Sequence, residues 1–276
     1  MSESCSHSCE SCTENCAERD MRASLNAYSQ IRKVVAVSSG KGGVGKSSVT
    51  AMLAVLMARR GYKVGILDAD ITGPSIPKAF GLTVKAKGSE LGILPAETHM
   101  GIKVMSINLL LERDDQPVVW RGPVLAGAVT QFWTDVVWGE LDYLFIDMPP
   151  GTGDVPLTVY QSIPLDGGVI VSTPQTLVQM VVEKARRMAE MLNIPLLGLV
   201  ENMSCVICPD CGKRIPLFGD GQQLEKAAQE MGLPVLASLP MNADIARLCD
   251  AGEIERVVCE ELDPAANRIE KLLQEA

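Results

Sequence analysis

The stretch VVAVSSGKGGVGKSS, residues Val34–Ser48, decides the fold. Its opening run, Val34-Val35-Ala36-Val37, is apolar and mostly β-branched and reads as a buried strand. The strand breaks into Gly40-Lys41-Gly42-Gly43-Val44-Gly45-Lys46-Ser47, which matches G-x-x-x-x-G-K-[ST] with both ends in place. Glycine lets a loop backbone turn inward and approach a ligand closely, so that its N–H groups cradle phosphate oxygens. Lys46 then supplies a point charge for the β- and γ-phosphates, and Ser47 a hydroxyl for Mg²⁺. A helix starting at once adds its positive end to the same cradle. An ordinary glycine-rich turn accounts for the glycines, but not for Lys46-Ser47 at this offset after a strand.

Downstream, Ser48–Arg60 reads as a helix that is apolar nearly all round and is ended by Gly61. Lys63–Leu67 reads as a second strand entering Asp68-Ala69-Asp70. Carboxylates at the carboxyl end of a strand sit where open α/β sheets hold ligands, so one of this pair is a candidate to orient or deprotonate a water. Residues 72–100 predict a switch-like loop, a short helix and a small hairpin, followed by a strand over Lys103–Ile107 and a helix over Val124–Val137. Leu141–Asp147 is the strongest buried strand of the second half. An aliphatic strand ending on Asp147 has the arrangement that holds Mg²⁺ opposite a phosphate loop. Gly151, four residues on, is placed to present its N–H to a γ-phosphate. Further strands are predicted over Asp166–Ser172, Leu196–Val200 and Val235–Leu239, with helices over Leu177–Leu192, residues 221–231 and the C-terminus. Asn202 follows one of these strands, where an amide either reads a base or closes a turn.

At 276 residues, 47% hydrophobic but only 4% aromatic, the chain has an aliphatic core suited to a mostly parallel central sheet with helices on both faces. The net charge of −9 argues against a nucleic-acid partner. No apolar run approaches the ~20 residues of a membrane span, and MSESCSHSCESC lacks the regions of a signal peptide. The expected location is cytoplasmic.

Nine cysteines in such a chain argue against a disulfide framework. Cys5, Cys9, Cys12 and Cys16 lie within residues 1–20, a polar segment with too little to bury for a core of its own. Four thiolates this close fit one tetrahedral Zn²⁺ or one [4Fe–4S] cluster. Residues 21–32 read as a linker, partly helical, and 33–276 as the main domain. Within it, Cys208-Pro209-Asp210-Cys211-Gly212 is a metal knuckle in a loop near 205–219, but supplies only two ligands, or three with Cys205. Either the N-terminal cysteines or a second copy of the chain would complete the set. Cys249 and Cys259 fall in helical patterns and read as structural.

These motifs resemble the Mrp/Nbp-type (ApbC-like) branch of the deviant Walker-A, SIMIBI-class P-loop ATPases, which are iron–sulfur cluster carriers similar in fold to MinD. The likeness rests on SSGKGGVGKSS, DADITGPS at 68–75, WGELDYLFIDMPPGTGD at 138–154, STPQ at 172–175, VENMS at 200–204 and CPDCG at 208–212. It implies a slow ATPase that binds ATP, Mg²⁺ and [4Fe–4S] and hands clusters to apo-proteins. It also implies a homodimer with a cluster bridging two protomers through Cys208 and Cys211, and a second site at Cys5, Cys9, Cys12 and Cys16. In that reading Lys41 reaches the partner's nucleotide and acts with Lys46 and Asp70 in catalysis. Ser47, Asp70 and Asp147 hold Mg²⁺. Residues 40–48 with Gly151 and Asn202 bind the nucleotide, Asn202 at adenine. The competing reading is a zinc-stabilised nucleotide switch, regulatory or partitioning, that transfers no cluster.

Overall fold

The computed structural model describes residues 22–71, 73, 75–111, 122–175, 178–218 and 223–275. The expected N-terminal cysteine segment lies outside them. In chain order the elements are β1 (Gln30–Ser38), α1 (Lys46–Arg59), β2 (Val64–Asp68), α2 (Ile76–Ala79), β3 (Lys87–Ser89), β4 (Gly92–Leu94), β5 (Ala96–Glu97) and β6 (Lys103–Met105). They continue with α3 (Gly122–Thr134), β7 (Glu140–Asp147), α4 (Asp154–Ser162), β8 (Gly167–Ser172), α5 (Val178–Met191) and β9 (Leu196–Glu201). The last are β10 (Cys205–Ile207), β11 (Arg214–Pro216), α6 (Gln223–Glu230), β12 (Val235–Ser238), α7 (Ala243–Asp250) and α8 (Asp263–Gln274).

Eight strands form one sheet in the order β12-β9-β8-β1-β7-β2-β6-β5. Every pairing is parallel except the two-residue edge strand β5 against β6. Side chains alternate across the pleat, and both faces are covered. Val35 and Val37 with Tyr143 and Phe145 face α1, α2 and α8, where Leu53, Ala54 and Ile269 are fully buried. Val34 and Ala36 with Leu144 and Ile146 face α3 and α4, packing on Phe132, Trp133 and Val159. A smaller cluster joins β8 and β9 to α5 and α6 through Ile170, Leu199, Val182 and Leu224. Each such aliphatic side chain contributes roughly 1.5–3 kcal/mol by leaving water, which makes the two-sided core the main source of stability. No helix among the described residues is long and apolar enough to cross a membrane.

The predicted short helix and hairpin are present as α2 and β3–β4. Four expectations change. The linker contains no helix among its described residues, and its last three residues belong to β1. The strand from Lys103 stops at Met105, because Ser106 turns inward and Ile107–Leu109 forms a 3-10 turn. The stretch after the CPDC motif, read as loop, instead contains β11, which closes an antiparallel hairpin on β10. Cys259 precedes a 3-10 turn rather than sitting in a helix. α4 is an element for which the sequence reading made no assignment; its Pro156 falls in the first turn, where a missing N–H costs nothing.

The parallel arrangement brings the carboxyl ends of β1, β7, β2, β8 and β9 to one edge of the sheet. Asp68 of β2 lies in register with Asp147 of β7, and Val37 of β1 with the same Asp147.

Candidate functional site

The loop between β1 and α1 curls at that edge. Gly43 and Gly45 both have φ of +79°, a region closed to most side chains, and Gly45 caps α1 from it. A Cβ on Gly45 would lie 2.3 Å from Asn202 Nδ2, so the loop and the end of β9 touch directly. Gly42 and Gly43 are exposed and meet no backbone, which leaves the outer surface of the loop open. The N–H of Gly151 donates to the Ser39 carbonyl at 2.9 Å and ties the segment after β7 to the start of the loop.

Beneath the loop is a buried polar floor centred on Asp147, which is fully inaccessible to solvent. Its Oδ1 lies 2.7 Å from Lys46 Nζ and accepts the Thr50 hydroxyl at 2.9 Å. Its Oδ2 accepts the Ser47 hydroxyl at 2.6 Å. Asp70 Oδ2 stands 3.8 Å from the same ammonium. Asp68, also fully buried, accepts from Ser106 Oγ at 3.1 Å and from the Asp70 N–H at 3.2 Å. Burial, reinforced by the Asp147 charge beside it, pushes the Asp68 carboxyl up to about 8, against the pull of Lys46. Three carboxyl groups, two of them fully buried, thus surround one buried ammonium.

This floor fits a magnesium nucleotide. Ser47 Oγ and Asp147 Oδ2 form a ready pair of oxygen ligands, and Lys46 has only 5% of its surface exposed below an open loop. A phosphate entering the loop would offer Lys46 a second anion. Among the described residues no three His, Cys, Asp or Glu side chains are grouped to hold a metal ion by themselves. That suits Mg²⁺, which takes one or two protein ligands and completes its shell with phosphate and water.

Asn202 is half-buried and engaged with the loop. Its Nδ2 donates to the Val44 carbonyl at 2.9 Å, while its Oδ1 accepts from the Met203 N–H at 3.0 Å. Lys41 behaves differently from Lys46. It is exposed, and its Nζ reaches Gln175 Oε1 at 3.4 Å.

The second candidate site is the tip of the β10–β11 hairpin. Gly212 N–H donates to the Cys208 carbonyl at 2.9 Å and Cys208 N–H to Lys213 at 3.0 Å, which folds the four-residue turn. Backbone N–H groups of Cys211 and Asp210 point at the Cys208 sulfur and draw its thiol below the ordinary range. Cys211 is exposed and Cys208 partly so. Cys205 lies buried at the base of the hairpin opposite Pro216 and does not join them in a three-ligand group. Ile207, Ile215, Leu217 and Met241 are exposed apolar side chains on and beside the hairpin. Burial instead raises the thiols of Cys249 and Cys259, the latter to about 11 with Glu261 adding to the effect, so both are poor ligands.

Residues 30–276 match the ParA-type family described as NUBPL iron-transfer P-loop NTPase. The chain belongs to that family. An iron–sulfur cluster carrier protein of Clostridium perfringens is 47% identical over 241 residues, covering 84% of each chain. One of Methanocaldococcus jannaschii is 48% identical over 248 residues, covering 89% of this chain and 85% of its own. A nucleotide-binding protein of Archaeoglobus fulgidus, solved in complex with ADP, is 48% identical with a TM-score of 0.76, covering 84% of this chain and 91% of that one. The Pyrococcus furiosus cell division ATPase MinD, at 20% identity and a TM-score of 0.62, shares the fold.

For this P-loop NTPase, the sequence reading gave no role to Thr50, Ser106, Ser39 or Gln175. Thr50 was findable, because it lies one helical turn beyond Lys46 and so faces the same way. Ser106 carried no signal, since only the packing of β6 against β2 brings it to Asp68.

Proposed function

We propose that this NTPase is an ATP-hydrolysing carrier that binds a [4Fe–4S] cluster between two copies of the chain and delivers it to apo-proteins in the cytoplasm. The observation that carries the reading is the Cys208–Cys211 turn. Two surface thiols, one already acidified by backbone N–H groups, stand among exposed apolar residues with no further ligand group in the described protomer. Cluster and tetrahedral metal sites take four ligands, and a two-fold axis through this tip doubles two to four. The patch of Ile207, Ile215 and Leu217 gives such an axis an apolar contact. Cys5, Cys9, Cys12 and Cys16 form a second cluster site in this proposal.

The nucleotide half of the cycle follows from the buried floor. Ser47 and Asp147 would hold Mg²⁺, which would supply positive charge against the negative charge developing on the phosphates. The N–H groups of residues 42–47 receive the phosphate oxygens, and Lys46 turns from Asp147 toward them. Asp70, beside Lys46, orients the attacking water. Gly151 gives up the Ser39 carbonyl to present its N–H to the γ-phosphate, and Asn202 keeps the loop shaped while facing adenine. Lys41, exposed and with its Nζ on a long hydrogen bond to Gln175, extends to the partner's nucleotide. Hydrolysis is slow until the dimer supplies it.

The test is anaerobic reconstitution with a count of iron and sulfide, followed by transfer to an apo-enzyme that requires [4Fe–4S]. Wild type is expected to hold one labile cluster per dimer at Cys208/Cys211 beyond any held by residues 1–20, and to activate the acceptor. A Cys208→Ala/Cys211→Ala protein with full loading would sink the bridging site. A colourless protein with stoichiometric zinc that activates no acceptor would favour a zinc-stabilised switch.

A further inference from the structure

The buried threonine on α1 has more to do than satisfy its own helix. Thr50 is fully buried, and its hydroxyl lies 3.0 Å from the Lys46 carbonyl and 2.9 Å from Asp147 Oδ1. A threonine inside a helix commonly rests on the carbonyl four residues back, and that contact alone would satisfy it. Here one hydroxyl hydrogen faces two acceptors. The carboxylate is charged and the carbonyl is neutral, so the hydrogen goes to Asp147.

Asp147 has three donors: Lys46 and Thr50 on Oδ1, Ser47 on Oδ2. The three come from consecutive turns of one helix, so they are set by backbone geometry. Two of them have other duties once a nucleotide arrives. Lys46 is needed at the phosphates, and Ser47 must aim a lone pair at the cation. Thr50 lies beneath Lys46, away from the loop surface, and has no such second duty. Without it, a wholly buried carboxylate would lose its support on Oδ1 at the moment Lys46 leaves, and would be free to rotate about its Cβ–Cγ bond.

We infer that Thr50 is a positioning residue: it holds Asp147 Oδ1 in place so that Oδ2 stays directed at the divalent cation when Lys46 swings to the phosphates. The inference rests on the nucleotide reading of this loop. It predicts an effect on the cation and little on the nucleotide alone.

The experiment uses full-length Thr50→Val, which keeps the shape and removes the hydroxyl, and Thr50→Ser, which keeps the hydroxyl. A fluorescent ADP analogue is titrated in EDTA, and Mg²⁺ is then titrated into the ADP-bound protein, with thermal melts of each nucleotide-free variant. Thr50→Val is expected to raise the half-saturating Mg²⁺ by about tenfold, the loss of one hydrogen bond to a charged group. Its ADP affinity in EDTA should stay within about twofold of wild type, and Thr50→Ser should restore the Mg²⁺ midpoint. An unchanged midpoint in Thr50→Val overturns the inference, as does equal weakening with and without Mg²⁺, or failure of Thr50→Ser to restore. If Thr50→Val does not fold, Thr50→Ala carries the same comparison, its small cavity being read out in the melt. A wild-type protein that binds no ADP at all would instead defeat the nucleotide reading itself.

Discussion

The two candidate sites of this chain are built on opposite principles. The phosphate loop stands on a floor where every charge is buried and shared: Asp147 takes three donors, and Lys46 reaches two carboxylates. The cysteine turn stands at the tip of a two-stranded hairpin, held by a few backbone hydrogen bonds, with Cys211 exposed and Cys208 partly so. The first is complete in its polar contacts within one protomer and is stabilised by the whole sheet. The second has two thiols, half of the set that the proposed bridging site needs, and an apolar surround. In the first site function and stability share the same residues, and in the second they are separable.

The largest effect should come from Lys46→Met, which keeps the length of the side chain and removes its charge. Asp147 and Asp68 would then lie side by side in a dry site with no cation. Breaking a buried pair in this way costs about 3 kcal/mol or more, read by urea unfolding of the nucleotide-free protein. ADP affinity should fall by about 100-fold or more, since the lost contacts are charge-assisted. A variant as stable as wild type would break the claim that the floor is held by shared charge.

Glycine substitutions sharpen the contrast. Gly45 and Gly212 both sit at positive φ, +79° and +70°. A Cβ on Gly45 would strike Asn202, whereas one on Gly212 meets nothing within 4 Å. Gly212→Ala should therefore cost only the left-handed conformation, about 1 kcal/mol. Gly45→Ala should cost about 2–3 kcal/mol, with Gly45→Ala/Asn202→Ala recovering the steric part and leaving the conformational part. Equal losses at the two glycines would contradict the close approach of β9 to the loop.

Asp68 offers a pH test confined to the first site. Its carboxyl, at about 8 when folded, keeps a proton that the unfolded chain releases near 4. Between those values the folded state binds more protons, so rising pH lowers stability. Asp68→Asn removes the titration. Its unfolding free energy should gain on that of wild type from pH 5 to pH 8 by on the order of 1 kcal/mol per pH unit. A margin that stays flat over this range would show that Asp68 is held ionised instead.

Legibility in the sequence followed the same division. The loop, β1, β2 and β7 were readable because an aliphatic strand ending in a carboxylate or a Gly-Lys-Ser run is a local pattern, and the parallel sheet carries those ends to one edge. Ser106 and Gln175 were not readable, since strand register and loop packing bring them in from afar. At the cysteine turn the ligand residues were plain but their support was not. RIP at 214–216 reads as loop: three residues are too few to show alternation, and a proline weighs against a strand. Pairing with β10 supplies what the pattern lacked, and Pro216 sits at the strand's last position, where its missing N–H is tolerated.

The smallest expected effect is the most diagnostic of the contrast. Cys208→Ala/Cys211→Ala removes both thiols from the hairpin tip. Neither side chain packs into the described core clusters, and the variant keeps the Gly212-to-Cys208 and Cys208-to-Lys213 backbone bonds, losing the contacts of the Cys211 and Asp210 N–H groups with the Cys208 sulfur. The nucleotide-free, metal-free protein should therefore melt within about 2 °C of wild type. ADP affinity should be unchanged, because no thiol enters the floor around Asp147. Iron binding at the tip should be abolished. A protein that binds ADP normally and unfolds normally but holds no cluster there would show that the fold keeps its cargo site apart from its own stability. A collapse in melting temperature, without metal present, would mean that the thiols also hold the hairpin.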